Sequence, residues 1–371
     1  HEAILTALAR FQPDVVGVSV LTPVALDVVA LLREIKRRHP TVRCIAGNIH
    51  ADLFPQEFAD TCDAVVHGEG ERATVALLGA WARGGSGAGI PGVTVFIDGV
   101  GERGPHRELD TDLDAYPFPD WNLLPIHRYS LLPLGTVARP VVAMLARRGC
   151  PHACEYCSLD YQGHTYRARS VGNVVDEVEH VVRRFGAKQI GFMDPIFPLG
   201  RRHAEDFGRE MVRRGLHRDV VWLSELRADH VDAGSLEWMH RSGCRRLVFG
   251  LEAADEGLMA DAGRRTSTAR CRETVSRCRA LGITTVGLFM IGLPGETPEQ
   301  TEQTIDYACS LDLDFAKFAI TVPFPGSKLY TEQAAAGRLD DRQWDAYTTY
   351  NPDRERIAIA SDVQDAGQLQ A

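Results

Sequence analysis

The sequence predicts an α/β protein in two parts. A partial Rossmann-like domain comes first, followed by six strand–helix units that make a partial (β/α)6 TIM-like barrel. Three observations carry this reading. Short apolar runs alternate with stretches of helical apolar spacing along the chain. The runs are apolar throughout, as expected for parallel strands covered on both faces. The pattern stops in a Gly- and Pro-rich stretch and restarts after it, and 371 residues suit two domains.

The elements follow in order. Residues 2–11 (EAILTALARF) have helical spacing, and DVVGVSV (14–20) is a short buried strand. A helix over 24–38 stops before Pro40, and VRCIAG (42–47) is a second strand. EFADTC is a short helix, AVVHGEG (64–70) a third strand running into a glycine turn, and 71–82 a helix. Ligands of such folds sit beyond the carboxyl ends of the strands, here Ser19–Pro23, Gly47–His50 and His67–Glu71. Residues 83–92 read as a flexible link and 93–139 as a connector with little regular structure, pinned to a core by Phe118 and Trp121. The domains are therefore expected at 1–83 and 140–330, with a connector at 84–139 and a C-terminal tail at 331–371. The start at His1 inside helical sequence and the aperiodic end read as a piece of a longer chain.

In the second part, strands are expected at 141–146, 188–193, 220–224, 246–250, 284–291 and 315–321. Helices are expected at 174–185, 203–214, 235–241, 268–281 and 298–311. Four of these helices run into Gly186, Gly215, Gly243 and Gly282, each suited to a left-handed cap. Thr297, Pro298 and Gln300 open the last helix as N-cap, N1 and N3. Active sites of parallel barrels lie at the carboxyl ends of the strands.

A net charge of −9 argues against a broad basic surface for nucleic acid. There is no apolar run near the ~18–20 residues of a membrane span, and no signal-peptide pattern. The expected setting is cytoplasmic. Of nine cysteines, six are scattered, and an odd count without a secretory signal does not suggest a disulfide framework.

The other three cysteines carry chemistry. RRGCPHACEYC places Cys150, Cys154 and Cys157 in a C-x3-C-x2-C loop directly after the first barrel strand. Thiolates ligate iron–sulfur clusters, and a [4Fe–4S] cluster takes four ligands. Three leave one iron open to a small molecule. Structural zinc completed by His152 or His164 is the alternative. No second cysteine pair lies nearby, and His152 would be cramped between its flanking cysteines.

This loop, set after the first strand of a six-unit barrel, resembles that of the radical S-adenosylmethionine (SAM) superfamily. The resemblance covers about residues 140–330. It implies a [4Fe–4S] cluster on the three cysteines, with SAM chelating the open iron and cleaved reductively to a 5′-deoxyadenosyl radical. It also implies roles at the strand ends. Tyr156 lies near the adenine. Asp194 in FMDPIF meets the SAM amino group, although the usual Gly-Gly-Glu is absent. In SELRAD, Ser224 and Glu225 bond the ribose and Arg227 pairs with the SAM carboxylate. Glu252 in FGLEAAD is a further SAM ligand. Gly292 in GLFMIGLPGET lets backbone approach the adenine. Each of these acids could instead cap a helix or pair with an arginine.

The first part resembles the cobalamin-binding domain that precedes many radical SAM enzymes. The matching loops hold Ser19, Thr22, Gly47, Gly68, Glu69 and Gly70. Gly47-Asn48 stands where Gly-Gly is common, and the D-x-H-x-x-G loop that supplies an axial histidine in some cobalamin proteins is missing. The resemblance implies cobalamin-dependent methyl transfer to an unactivated centre of a small molecule, with an external flavodoxin- or ferredoxin-type electron donor. A radical cyclase or rearrangement enzyme, like the anaerobic magnesium-protoporphyrin ester cyclase, is the enzyme alternative. A non-catalytic iron–sulfur or zinc protein is the alternative from another class.

Overall fold

The computed structural model describes residues 1–130, 135–158, 165–339, 343–349 and 358–370. These divide into two compact units, His1–Asp110 with Val322–Ala358, and Thr111–Thr321 with Ile359–Ala371.

The first unit opens with α1 (Glu2–Phe11), β1 (Val15–Ser19), α2 (Ala25–Arg38), β2 (Arg43–Gly47), α3 (Ile49–Leu53), β3 (Ala64–Val66) and α4 (Gly70–Ala82). Strands β1, β2 and β3 are parallel neighbours. Successive residues of β2 face opposite ways. Cys44 and Ala46 pack with Leu5 of α1 and Val29, Leu32 and Ile35 of α2, whereas Ile45 packs with Ala73 and Leu77 of α4. Helices therefore cover both faces, as in a Rossmann-like fold.

Two expectations change here. Residues 93–103, read as irregular, form β4 (Val93–Ile97) and β5 (Val100–Arg103), which extend the sheet antiparallel beyond β3. The signal was Asp98-Gly99: both have positive φ, 49° and 76°, which a two-residue hairpin turn requires. The expected C-terminal tail also changes. Trp344 and Tyr347 of the tail, with Val322 before it, are buried in the same core as α1 and α2. The Trp344 indole donates to the Glu57 carboxylate at 3.1 Å. The aperiodic apolar residues of this segment fill a core that the first 110 residues leave open.

The second unit holds β6 (Val141–Met144), a two-strand ribbon of β7 (Arg147–Arg148) and β8 (Arg167–Ala168), α5 (Val171–Phe185), β9 (Gln189–Phe192) and α6 (Arg201–Arg213). After these come β10 (Val221–Leu226), α7 (Ala233–Arg241), β11 (Cys244–Glu252), α8 (Glu256–Asp261), α9 (Thr268–Ala280), β12 (Thr284–Ile291), α10 (Pro298–Ser310) and β13 (Phe315–Ile320). Helix α11 (Lys328–Ala335) belongs to the first unit, and α12 (Ala366–Gln370) to the second. Strands β6, β9, β10, β11, β12 and β13 are parallel and adjacent in chain order, the six-stranded part of a barrel. Gly186, Gly215, Gly243 and Gly282 all have positive φ after their helices, and Thr297 and Gln300 make a full capping box. Trp121 is buried in this unit's core, and Phe118 packs beside His180.

Trp344→Ala is expected to destabilise the first unit by about 3–5 kcal/mol, as large-to-small changes in a packed core do. Urea unfolding checks this; a change within error would mean the segment is not part of that core.

Candidate active site at the strand ends

The second sheet turns alternate residues to opposite sides. Val142 and Met144 of β6, Trp222 and Leu226 of β10, Leu247 and Phe249 of β11, and Phe289 of β12 are in the core under the helices. The residues between them face the barrel lumen. The register keeps this phase from strand to strand: Glu225 pairs with Val248, and Ser224 with Leu247.

The cysteine loop leaves β6 through Ala146, whose N–H donates to both oxygens of Asp194 just after β9, at 3.0 and 3.1 Å. The chain then turns at Gly149, whose φ is 77° and where a Cβ would collide with the Thr165 carbonyl. Cys150, Cys154 and Cys157 follow, all half-exposed. Five of the other cysteines are buried, and Cys309 is exposed. The far side of the loop is tied down by Glu155, whose N–H donates to the Ala262 carbonyl at 3.1 Å. Among the described residues, no three His, Cys, Asp or Glu side chains are placed to hold a single metal ion. Three separate thiols suit a cubane, where each ligates a different iron. His152 stacks edge-on against His230, with ring centroids 5.1 Å apart, and its Nε2 is buried without a partner among the described residues. His164 lies outside the described residues.

Tyr156 packs on an apolar wall of Ala253, Leu258, Met259 and Leu293. Its hydroxyl lies 3.5 Å from Arg264 Nη1, which is 3.3 Å from Glu252. Glu252 is buried with a φ of 61°, unusual for a residue with a side chain and typical of strained functional positions. Burial pushes its carboxyl up, against the pull of Arg264 and Arg227. Arg264 Nη2 donates to the Gly250 carbonyl at 2.5 Å, while its Nε is buried and unpartnered among the described residues. So is Oε1 of the fully buried Glu296, whose Oε2 accepts from Leu293 N–H at 2.9 Å. Buried polar atoms left open in this way call for a partner, and a polar ligand supplies one. The donor set and these open atoms fit a cluster and a SAM molecule.

Several expected residues are placed otherwise. Ser224 is fully buried on the helix side of β10, so only Glu225 of that pair reaches the lumen. Arg227 is buried with its guanidinium fork on Asp229, at 2.9 and 3.2 Å, and with a bond to the Arg265 carbonyl. It is therefore already paired. Asp194 is 2% exposed and holds the entrance of the cysteine loop. Gly292 has its φ at 76°, but a Cβ there would lie 2.7 Å from Leu369, so a side chain of α12 packs against it. Sequence reading did not single out Arg264 and Glu296. Glu296 lies within the quoted GLFMIGLPGET, but Arg264 had no local signal, since its partners lie 12 and 108 residues away.

In the first unit, the strand ends carry two networks. Asn48, with φ at 76°, donates to the exposed Ser19 hydroxyl at 2.9 Å. Thr22 is buried, its hydroxyl 3.3 Å from His50 Nδ1, and His50 Nε2 meets Glu57 at 3.2 Å. Asp52 accepts from Gly68 N–H at 2.8 Å and meets His67 Nδ1 at 2.7 Å, while His67 Nε2 meets Thr94 at 2.7 Å. Both ring nitrogens of His50 and of His67 are thus engaged within the fold. The Glu69 carbonyl takes a bond from Arg107, and Gly70 begins α4. Ser19, Gly47 and the turn Gly68–Gly70 stay at least partly open; Thr22 does not. This partly open rim fits a cobalamin.

Burial raises the Asp194 carboxyl to about 6, the strongest influence on it, against the Ala146 N–H and Arg147. The folded state therefore binds this proton more tightly than the unfolded chain, where the value is about 3.9. That contribution to stability is present below pH ~4 and is lost as pH rises through ~6. Relative to Asp194→Asn, the wild type is expected to lose roughly 2 kcal/mol between pH 4 and 7. Urea titrations across that range check it; a constant difference contradicts it.

Comparison with known proteins agrees with this geometry. Residues 144–308 match the radical SAM superfamily and residues 1–78 the B12 binding domain. An uncharacterized methyltransferase, PH0819, of Pyrococcus horikoshii is 31% identical over 351 residues, covering 93% of this chain and 74% of that protein. The anaerobic magnesium-protoporphyrin IX monomethyl ester cyclase of Cereibacter sphaeroides is 30% identical over 346 residues, covering 90% of this chain and 55% of its own length. The fold is shared with the radical SAM methyltransferase TsrM of Kitasatospora setae, whose solved structure has cobalamin and a [4Fe–4S] cluster bound. Its TM-score is 0.71 at 22% identity, over 87% of this chain and 65% of that one. This chain is an enzyme of the radical SAM superfamily, one of those in which a B12-binding domain precedes the radical SAM domain.

Proposed function

We propose that the enzyme transfers a methyl group from cobalamin to an unactivated centre of a small molecule. The observation that carries this reading is the loop with three half-exposed thiols, close to Arg264, whose buried Nε has no partner among the described residues. When bound, the cofactors supply reductive cleavage of SAM, a hydrogen-abstracting radical and a transferable methyl group.

The chain's own residues bind, orient and shield. Cys150, Cys154 and Cys157 ligate one iron each, and Asp194 fixes the backbone that carries them. Tyr156 and its apolar wall border the adenine. Glu252 would take the ribose, with its carboxylate steadied by Arg264, whose Nε, without a partner among the described residues, would take the SAM carboxylate. Ser19, Gly47 and Gly68–Gly70 border the cobalamin. The electron donor is an external protein of the flavodoxin or ferredoxin type, and the setting is cytoplasmic. Among the described residues, no helix is long and apolar enough to cross a membrane. The net charge of −9 supports a substrate other than nucleic acid.

Cyclisation without methyl transfer is the second reading, favoured by the 30% identity to the cyclase. The test is anaerobic incubation of the reconstituted enzyme with SAM, reductant, hydroxocobalamin and substrate fractions. Formation of both 5′-deoxyadenosine and S-adenosylhomocysteine supports methyl transfer; 5′-deoxyadenosine alone supports the second reading. Cys154→Ala is expected to lower 5′-deoxyadenosine at least 100-fold. A colourless protein that forms none under reductant would overturn both readings.

A further inference from the structure

Asp52, His67 and Thr94 form one hydrogen-bonded chain at the strand ends of the first unit. Asp52 lies on α3, which leaves the carboxyl end of β2; His67 directly follows β3, and Thr94 belongs to β4. Asp52 Oδ2 accepts from the Gly68 N–H at 2.8 Å. Its other oxygen, Oδ1, lies 2.7 Å from His67 Nδ1, and His67 Nε2 lies 2.7 Å from the Thr94 hydroxyl. A carboxylate only accepts, so Nδ1 donates to it. The Thr94 hydroxyl completes the bond at Nε2, as donor to a neutral ring or acceptor from a charged one. His67 and Thr94 are buried, so water competes poorly for these bonds.

The chain ends on a turn that shows backbone to its surroundings. Gly68 has φ at 61°, which favours glycine, and Gly68, Glu69 and Gly70 are half-exposed. A Cβ at Gly68 would meet nothing within 4 Å, so the space beside the turn is open. Asp52 also joins this turn to the neighbouring strand ends. Asn48 caps α3 through the Ile49 N–H and donates to Ser19 at the end of β1, at 2.9 Å. The same helix carries Asp52, so the ends of β1, β2 and β3 share one hydrogen-bonded rim. Thr94 lies beyond residues 1–78, the part that matches the B12 binding domain, so the last bond of the chain comes from the added hairpin of β4 and β5.

We propose that Asp52, His67 and Thr94 are positioning residues for cobalamin, and that they hold the Gly68–Gly70 turn in the shape that receives it. This rests on the reading above, in which that turn borders the cofactor, and assigns the turn's shape to a buried chain that ends on β4. The three residues act through the backbone of the turn. In Asp52→Asn one of the two acceptor oxygens becomes an NH2 group, so either the Gly68 N–H or His67 Nδ1 loses its partner.

The test uses the full chain with its cluster reconstituted. Hydroxocobalamin affinity is measured by absorbance titration in wild type, Asp52→Asn, Thr94→Val and Thr94→Ser, and deuterium uptake is followed in the peptide that holds Gly68. Asp52→Asn is expected to weaken binding at least tenfold and to speed exchange there at least tenfold. Thr94→Val keeps the side-chain shape and loses the hydroxyl, whereas Thr94→Ser keeps the hydroxyl and loses a methyl group. Thr94→Val should weaken binding at least fivefold and Thr94→Ser less than twofold; a role in packing alone gives the reverse order. Asp52→Asn within threefold of wild type, or Thr94→Val binding as tightly as Thr94→Ser, overturns the proposal. Should Asp52→Asn fail to fold, the two Thr94 variants decide. Wild-type binding reports separately on the cobalamin reading; its absence overturns both.

Discussion

The six parallel strands of the second unit are covered by helices on one side, and this burial controls the site. Trp222, Leu247, Phe249 and Phe289 must stay in the core, so the residues beside them in each strand must face the lumen. Glu225 and Glu252 reach the interior for that reason, and Ser224 does not. A one-residue slip would exchange the two sets, bringing the carboxylates under the helices. The large core residues make such a slip costly, which lets charged groups sit at defined places inside a barrel.

The charged groups themselves are arranged in matched pairs. Arg227 with Asp229 and Arg264 with Glu252 are buried ion pairs, and such pairs add little net stability because desolvation offsets their attraction. Their value here is positional. Arg264 joins Glu252, the Gly250 carbonyl and the Tyr156 hydroxyl, so β11, the segment after α8 and the cysteine loop share one guanidinium. Asp194 ties the loop's other end to β9. The thiols are thus carried on a loop tied down at Ala146 and at Glu155, the preorganisation a cofactor site needs.

Much of this was legible in the sequence. The strands, the capped helices and the cysteine loop depend on local pattern, because apolar period, glycine caps and ligand spacing are properties of adjacent residues. Asp98-Gly99 was also a readable signal for a hairpin that the sequence reading passed over. The structure puts the residues assigned by resemblance at the strand ends in different surroundings. Glu252 and Tyr156 come together, whereas Arg227 and Asp194 are used within the protein and Thr22 is held by His50. A short motif gives a residue's place along a strand, but not whether a neighbour has already taken its polar atoms.

The sequence by itself determined the fold class, the three-thiol loop and the order of the strand–helix units, since each rests on spacing within a few dozen residues. Only the tertiary structure decided which strand-end groups face the lumen, that Trp344 completes the first core, and that Leu369 packs on Gly292. Those contacts join residues up to about 290 positions apart, as Trp344 and Glu57 do. No local pattern encodes such contacts, because they follow from how large side chains fill the space that the folded elements leave between them.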